Sequence, residues 1–139
     1  GLTTDVIVGF PGESDDDFAE SLEHISRLPL SDLHIFPFSA RPGTPAASWP
    51  DQVPSAVRER RCAEMHNLAA RMALSFRRPF VGRELSVLWD GRLGEAWSGL
   101  SDNYLRVVAA TAGQWLARVT PTRISGLTGT TLVGQIAAS

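Results

Sequence analysis

The chain has 139 residues, enough for one domain or two small ones, and its 43% hydrophobic and 20% charged content is that of a globular chain rather than a disordered one. No apolar run approaches the roughly 18 residues that a membrane span needs, and the opening Gly1-Leu2-Thr3-Thr4 has the form of neither an initiator segment nor a signal peptide. The net charge of −2 divides unevenly: residues 1–76 hold 6 Arg against 11 acidic residues, and residues 77–139 hold 7 Arg against 4, which predicts two modules, the second suited to a polyanion.

In chain order, Asp5-Val6-Ile7-Val8 reads as a short buried strand ending at Gly9, followed by the turn Gly9-Phe10-Pro11-Gly12-Glu13. Ser14 is an N-cap with Asp17 three residues on, and Asp15, Asp16 and Asp17 fill a first turn where the helix dipole favours negative charge. Phe18, Leu22, Ile25 and Leu28 recur at spacings of 4, 3 and 3, which predicts one buried face, and Pro29 ends the helix. Leu33 to Phe38 is a second strand. A strand, helix and strand of this length form a right-handed crossover with parallel strands. Parallel sheets need cover on both faces and more than two strands, so the chain is expected to be a fragment of a larger α/β domain.

Ser39 to Pro54 is a loop punctuated by Pro42, Gly43, Pro45, Pro50 and Pro54. A long helix is predicted from about Ser55 to Phe76, with Met65, Leu68, Met72 and Phe76 as its apolar stripe; Pro79 and Gly82 then mark a boundary. Beyond Phe80 the period becomes two. Leu85, Val87 and Trp89 alternate with polar neighbours, as do Leu105, Val107 and Ala109, and then Trp115, Ala117 and Val119. Turns are read at Asp90-Gly91, Ala112-Gly113 and Gly126 to Gly129, and a last strand over Leu132 to Ile136. Short antiparallel strands in about 60 residues predict a small antiparallel barrel of the OB kind. The expected fold class is therefore α/β followed by all-β, with residues 1–76 as one domain and 77–139 as the other.

Cys62 is the only cysteine, so the chain has no internal disulfide and cannot by itself ligate an iron–sulfur cluster; a reducing, cytoplasmic setting is expected. His24, His34 and His66 lack metal-ligand spacing and read as structural or solvent-facing, and no metal site is expected. In parallel α/β barrels the active site lies at the C-terminal strand ends, where Gly9–Glu13 and Phe36–Pro45 fall. Glycines admit a ligand close to the backbone, Phe36 and Phe38 suit a flat ring, and Arg41 suits a carboxylate held by two parallel hydrogen bonds. The plain alternative is two tight connections and one surface Arg.

Arg58, Arg60 and Arg61 read as a solvated helix face paired with Glu59 and Glu64, with RNA contact as the alternative. In the second half, alternation turns Leu105 and Val107 inward and Tyr104 and Arg106 outward, and sets Arg118 opposite Ala117 and Val119. An outward Tyr beside Arg side chains suits stacking of unpaired bases and neutralisation of phosphates, against the alternative of an ordinary wet barrel surface. Trp89, Trp97 and Trp115 read as core.

In this order, Asp5 to Glu13, Asp17-Phe18, Phe36-Pro37-Phe38-Ser39 and Arg41-Pro42-Gly43-Thr44-Pro45-Ala46-Ala47 resemble the end of a radical S-adenosylmethionine methylthiotransferase. The resemblance continues through Gln52-Val53-Pro54 and the Arg-rich helix. It ends in a segment similar to the TRAM domain, with Val81-Gly82, Val87-Leu88, Gly99-Leu100 and Asn103-Tyr104-Leu105-Arg106-Val107. It implies a C-terminal fragment of a radical-SAM partial (β/α) barrel, residues 1–76 with the linking helix, then a TRAM-like RNA-binding domain over 77–139.

Three subfamilies are open: one acting on threonylcarbamoyladenosine in tRNA, one on isopentenyladenosine in tRNA, and one on an aspartate of a ribosomal protein. The segment His34 to Ser39 and the Leu100 to Val107 stretch are most similar to the first, which modifies the nucleoside next to the anticodon. A non-catalytic RNA-binding module is the further alternative.

The resemblance also implies two 4Fe-4S clusters, the radical one on a three-cysteine motif in the barrel and the second on three cysteines in an upstream domain, none of them among the residues of this chain, and an electron transfer that splits S-adenosylmethionine so that a methylthio group can be installed. It places Ile7 and Gly9 beside the adenine and Phe36, Phe38 and Arg41 near the cofactor or substrate, and it assigns RNA contact to Tyr104, Arg106 and Arg118. No residue here is assigned as catalytic. The implied partners are tRNA, S-adenosylmethionine and the missing domains of the same protein, with no membrane. The chain alone is expected to be inactive.

Overall fold

The structure is a computed structural model and describes residues 1–136. It divides into two compact units, Leu2–Ala73 and the residues from Leu74 on, grouped with Gly1.

In the first unit, β1 (Thr3–Val8) and β2 (Asp32–Pro37) pair in parallel, with Asp5 opposite His34 and Ile7 opposite Phe36. Helix α1 (Asp15–Ser26) connects them. Its start is a full capping box: the Ser14 hydroxyl accepts from the Asp17 N–H at 3.1 Å, and the Asp17 carboxylate accepts from the Ser14 N–H at 2.9 Å. Such a cap stabilises a helix by about 1 kcal/mol.

Phe18 and Ile25 are buried on α1 and Leu22 is partly buried. Leu28, expected on the same face, lies beyond the helix end and is exposed. Helix α2 (Ser55–Arg77) adds Met65, Leu68 and Ala69 to the core formed by Val8, Phe18, Ile25, Leu30 and Leu33. The sheet is covered on one face only. Val6, Val8, Leu33 and Ile35 lie in or against this core, while Ile7 and Phe36 are 59% and 52% exposed, so the expectation of a fully buried strand is corrected.

The second unit is a closed barrel of β3 (Glu84–Leu93), β4 (Ala96–Ser101), β5 (Arg106–Ala109), β6 (Val119–Thr128) and β7 (Thr131–Ile136), in the order β3-β4-β5-β7-β6. Its interior holds Val87, Trp89, Trp97, Leu105, Val107, Ala109, Ile124 and Leu132. Phe76, Phe80, Leu85 and Trp115 pack against them. The Trp89 indole N–H donates to Thr120 Oγ1 at 2.8 Å, which satisfies its one polar atom inside the barrel.

Four differences from the expected barrel have physical causes. The sheet is mixed rather than antiparallel, because β5 and β7, distant in sequence, pair in parallel. Asp90-Gly91 is not a turn: β3 runs through it with a register shift between Trp89 and Gly91, and the chain reverses at Gly94, whose φ is +60°. A second shift falls between Ile124 and Gly126, so β6 likewise runs through part of the expected Gly126–Gly129 turn. Bulges of this kind bend strands and help a small barrel to close.

Finally, Trp115, Ala117 and Val119 do not share one buried face. Ala117 has φ +58° in a turn, its N–H donates to Trp89 O at 2.8 Å, and both it and Val119 are exposed. β6 instead buries Thr122 and Ile124.

Candidate functional site

The C-terminal ends of β1 and β2 bring several of the expected residues together. The Phe38 N–H donates to Val8 O at 2.8 Å, which holds the two strand exits side by side. Ile7 and Phe36 stand opposite each other on the uncovered face and form a flat apolar pair, while Asp5 and His34 are the next pair back on that face. Gly9 follows with φ +75°, and a Cβ there would lie 2.3 Å from Arg58 Cγ. Glycine is thus required at this position by both backbone and space.

The Gly9 loop is held from within. The Glu13 carboxylate accepts from the Gly9 N–H and from the Phe10 N–H, the latter at 3.1 Å. Arg61, with only 3% of its side chain exposed, donates to the Glu13 carbonyl at 3.0 Å and to Asp15 at 2.8 Å, and its guanidinium lies 5.4 Å from the centre of the Phe18 ring.

The hydrogen bond from Arg61 holds the Asp15 carboxyl below its ordinary value, and the Ser14 hydroxyl does the same for Asp17. Arg58 donates to Val53 O at 2.6 Å and Arg60 to Asp15 at 2.9 Å. The basic cluster on α2 is therefore not a solvated face paired with Glu59 and Glu64: Arg60 and Arg61 secure the Glu13–Asp15 turn, and Arg58 packs over Gly9.

Phe38 sits edge-on to Phe10, ring centres 5.1 Å apart, and Phe10 sits edge-on to Trp49 at 5.7 Å. Arg41 lies in the exposed loop after Phe38, and among the described residues its guanidinium has no hydrogen-bond or ion-pair partner. Ile7, Gly9, Phe36 and Phe38 thus converge at one end of the sheet, with Arg41 three residues beyond. Phe10 and Glu13, inside the loop marked from sequence, belong to the same region, as do Trp49, which the sequence did not single out, and Arg61, which the sequence read as part of a solvated face. The aromatic pair shows no periodicity, and the partners of Arg61 lie 46 and 48 residues away.

On the barrel, Tyr104 is 83% exposed with φ +64°, its N–H donating to Ser101 O at 2.9 Å. Arg106 points outward, and one of its terminal nitrogens lies 2.8 Å from both oxygens of Asp90. Arg118 is exposed, but in the turn before β6 rather than by strand alternation. His24, His34 and His66 are exposed, and no group of metal-ligating side chains occurs among the described residues. No helix of the described residues is long and apolar enough to cross a membrane.

No family model matches the chain. Among curated proteins, it is 47% identical to the tRNA-2-methylthio-N(6)-dimethylallyladenosine synthase of Acidothermus cellulolyticus over 63% of this chain and 18% of that protein. It is 41% identical to the threonylcarbamoyladenosine tRNA methylthiotransferase of Thermotoga maritima over 76% of this chain and 24% of that one. With the tRNA-2-methylthio-N(6)-dimethylallyladenosine synthase of Desulfitobacterium hafniense it is 32% identical over 99% of this chain, so that match runs through both units, and over 31% of that protein. The chain therefore spans between 18% and 31% of the length of these relatives, and it belongs to the methylthiotransferase family that they represent.

Proposed function

We propose that this chain is the C-terminal portion of a radical S-adenosylmethionine methylthiotransferase that modifies an adenosine next to the anticodon of tRNA. In this reading, residues 1–76 supply part of the cofactor pocket and residues 77–139 form a TRAM-like, OB-type domain that binds tRNA. The observation that carries it is the match running through both units to a relative named for methylthio modification of tRNA.

The residues at the strand ends suit S-adenosylmethionine. Ile7 and Phe36 offer an apolar face for an adenine ring, Gly9 lets the cofactor approach the backbone, and Arg41 supplies an unpaired guanidinium for a carboxylate. Phe38, edge-on to Phe10, adds an aromatic ring at that edge. When bound, the cofactor would supply the radical that activates the substrate carbon; the chain's own residues bind and orient. The ligands of the two 4Fe-4S clusters are assigned to parts of the protein outside this chain, because one cysteine does not make a three-cysteine set.

Threonylcarbamoyladenosine is the proposed substrate, on the His34–Ser39 and Leu100–Val107 segments and the 41% identity to a relative of that name. The dimethylallyladenosine reading is favoured by the 47% match and by the 99% coverage. Mass spectrometry of tRNA nucleosides after deletion of the gene separates them. Loss of the methylthio group from threonylcarbamoyladenosine alone supports the first, loss from dimethylallyladenosine alone supports the second, and loss of neither rejects both.

A further inference from the structure

We propose that the hollow beside Tyr104 on the barrel binds one unpaired RNA base, guanine above the others, an inference that rests on the reading of tRNA as partner. The hollow encloses about 330 Å³ and is lined by Ser86, Leu88, Leu100, Ser101, Asp102, Tyr104 and Val119. Its floor follows from strand register. Leu88 stands opposite Leu100 on β4 and opposite Val119 on β6, and residues directly opposite share a face of the sheet. Three aliphatic side chains therefore lie in a row across three strands on the outside of the barrel, with Leu88 and Val119 45% and 62% exposed.

The turn that forms the rim is rigid. The buried Ser101 hydroxyl accepts from the Leu105 N–H at 2.9 Å, and the Asp102 N–H donates to Ser86 O at 3.0 Å. Tyr104 is held in the left-handed region by its own N–H bond to Ser101 O, which leaves the ring standing in solvent at the edge of the aliphatic row. A non-glycine residue adopts this conformation at a cost and is kept there by surrounding contacts.

Polarity selects the ligand. Among the described residues, the Asp102 carboxylate and the Ser86 hydroxyl have no hydrogen-bond or ion-pair partner. A carboxylate only accepts, so its ligand must donate, and its negative charge repels phosphate. A base offers a flat apolar face to Leu88, Leu100 and Val119, a π-face to Tyr104 and donors at its edge. Guanine presents N1–H and its exocyclic amino group side by side, matching the two oxygens of Asp102. Adenine and cytosine present an acceptor beside their amino group, and uracil has no amino group.

The test uses the whole chain and fluorescence anisotropy with labelled UUGUU, UUUUU and intact tRNA. UUGUU is expected to bind roughly tenfold more tightly than UUUUU. Asp102→Ala should erase that difference by weakening UUGUU while leaving UUUUU at least as tight as before. Tyr104→Ala should weaken both pentanucleotides roughly tenfold, and Tyr104→Phe should retain binding. All variants must melt like the parent.

Equal binding of the two pentanucleotides by the parent, or a guanine preference that survives Asp102→Ala, overturns the assignment. If that happens while tRNA still binds, the hollow is free for a protein segment and the tRNA reading stands. If tRNA itself does not bind, both fall.

Discussion

One terminal nitrogen of Arg106 lies 2.8 Å from each carboxylate oxygen of Asp90, so the outward Arg on β5 is already neutralised by a neighbour on β3. Both side chains are roughly two-fifths exposed, so the pair is screened and contributes little to stability, on the order of 1 kcal/mol or less. Its consequence is for RNA. Asp90→Asn should release Arg106, raise affinity for tRNA and steepen the salt dependence by about one phosphate contact, a change of roughly −0.7 to −0.9 in the slope of log affinity against log salt. Arg106→Ala alone should change little and Arg118→Ala more. Anisotropy titrations at four salt concentrations measure this, and an unchanged slope in Asp90→Asn removes Arg106 from the interface.

What the sequence made legible was local. The Ser14 cap, the Phe18–Ile25 face of α1, the two parallel strands and the inward Leu105, Val107 and Ala109 all rest on spacings of a few residues, and each formed where its pattern lies. What escaped depends on distant partners or on a bulge that looks like a turn. Asp90-Gly91 carries turn residues, yet β3 absorbs them as a bulge because β4 pairs with it on both sides of the shift, Trp89 with Gly99 and Gly91 with Ser98. Ala117 and Val119 follow a period-two pattern that the left-handed Ala117 breaks. The outward row of Leu88, Leu100 and Val119 exists only through register across three strands, and the role of Arg61 only through Glu13 and Asp15 far back in the chain.

Gly9→Ala tests the tightness of the first strand exit. Alanine at φ +75° costs roughly 1–2 kcal/mol from the backbone alone, and its Cβ would also meet the Arg58 stem. The combined loss should exceed the backbone figure, and adding Arg58→Ala should recover the steric part only, so the two substitutions are non-additive. Urea unfolding of the four proteins measures it. A stability loss in Gly9→Ala below about 0.5 kcal/mol would show that the loop relaxes freely, and the close approach assigned to Gly9 would fail.

Arg61→Ala should destabilise the first unit by about 3 kcal/mol, since it leaves the largely buried Glu13 carboxylate without its cation and removes a buried guanidinium from beside Phe18, while Asp15 keeps Arg60. The acid response has a definite sign. Asp15 and Asp17 have carboxyls held below their ordinary value of 3.8, so their contribution is complete above that pH and is lost as pH falls through their lower folded values. Asp15→Asn should flatten the fall in stability below pH 3.8 while lowering stability at neutral pH. Denaturant midpoints of parent and variant across that range decide it, and identical acid profiles would count against the Arg61–Asp15 bond.

The proposed chemistry requires two iron–sulfur clusters that this chain cannot build. Cluster assembly uses thiolates, and Cys62 is poorly placed to provide even one: burial is the first cause that pushes its thiol up, and the negative charge of Glu13 adds to it. With no second cysteine in the chain, anaerobic reconstitution with iron and sulfide should give no visible charge-transfer absorbance, and the chain with reductant should release no deoxyadenosine from S-adenosylmethionine. Binding is separable from cleavage, because Ile7, Phe36 and Arg41 need no cluster to hold a ligand. Equilibrium dialysis with S-adenosylmethionine should show weak retention that Arg41→Ala reduces, whereas Cys62→Ser leaves retention unchanged and costs only a modest loss of stability at the edge of the core that the thiol packs against. Deoxyadenosine release by the chain alone would mean that a cluster forms on ligands other than cysteine, and the assignment of the cluster ligands to residues outside this chain would have to be abandoned.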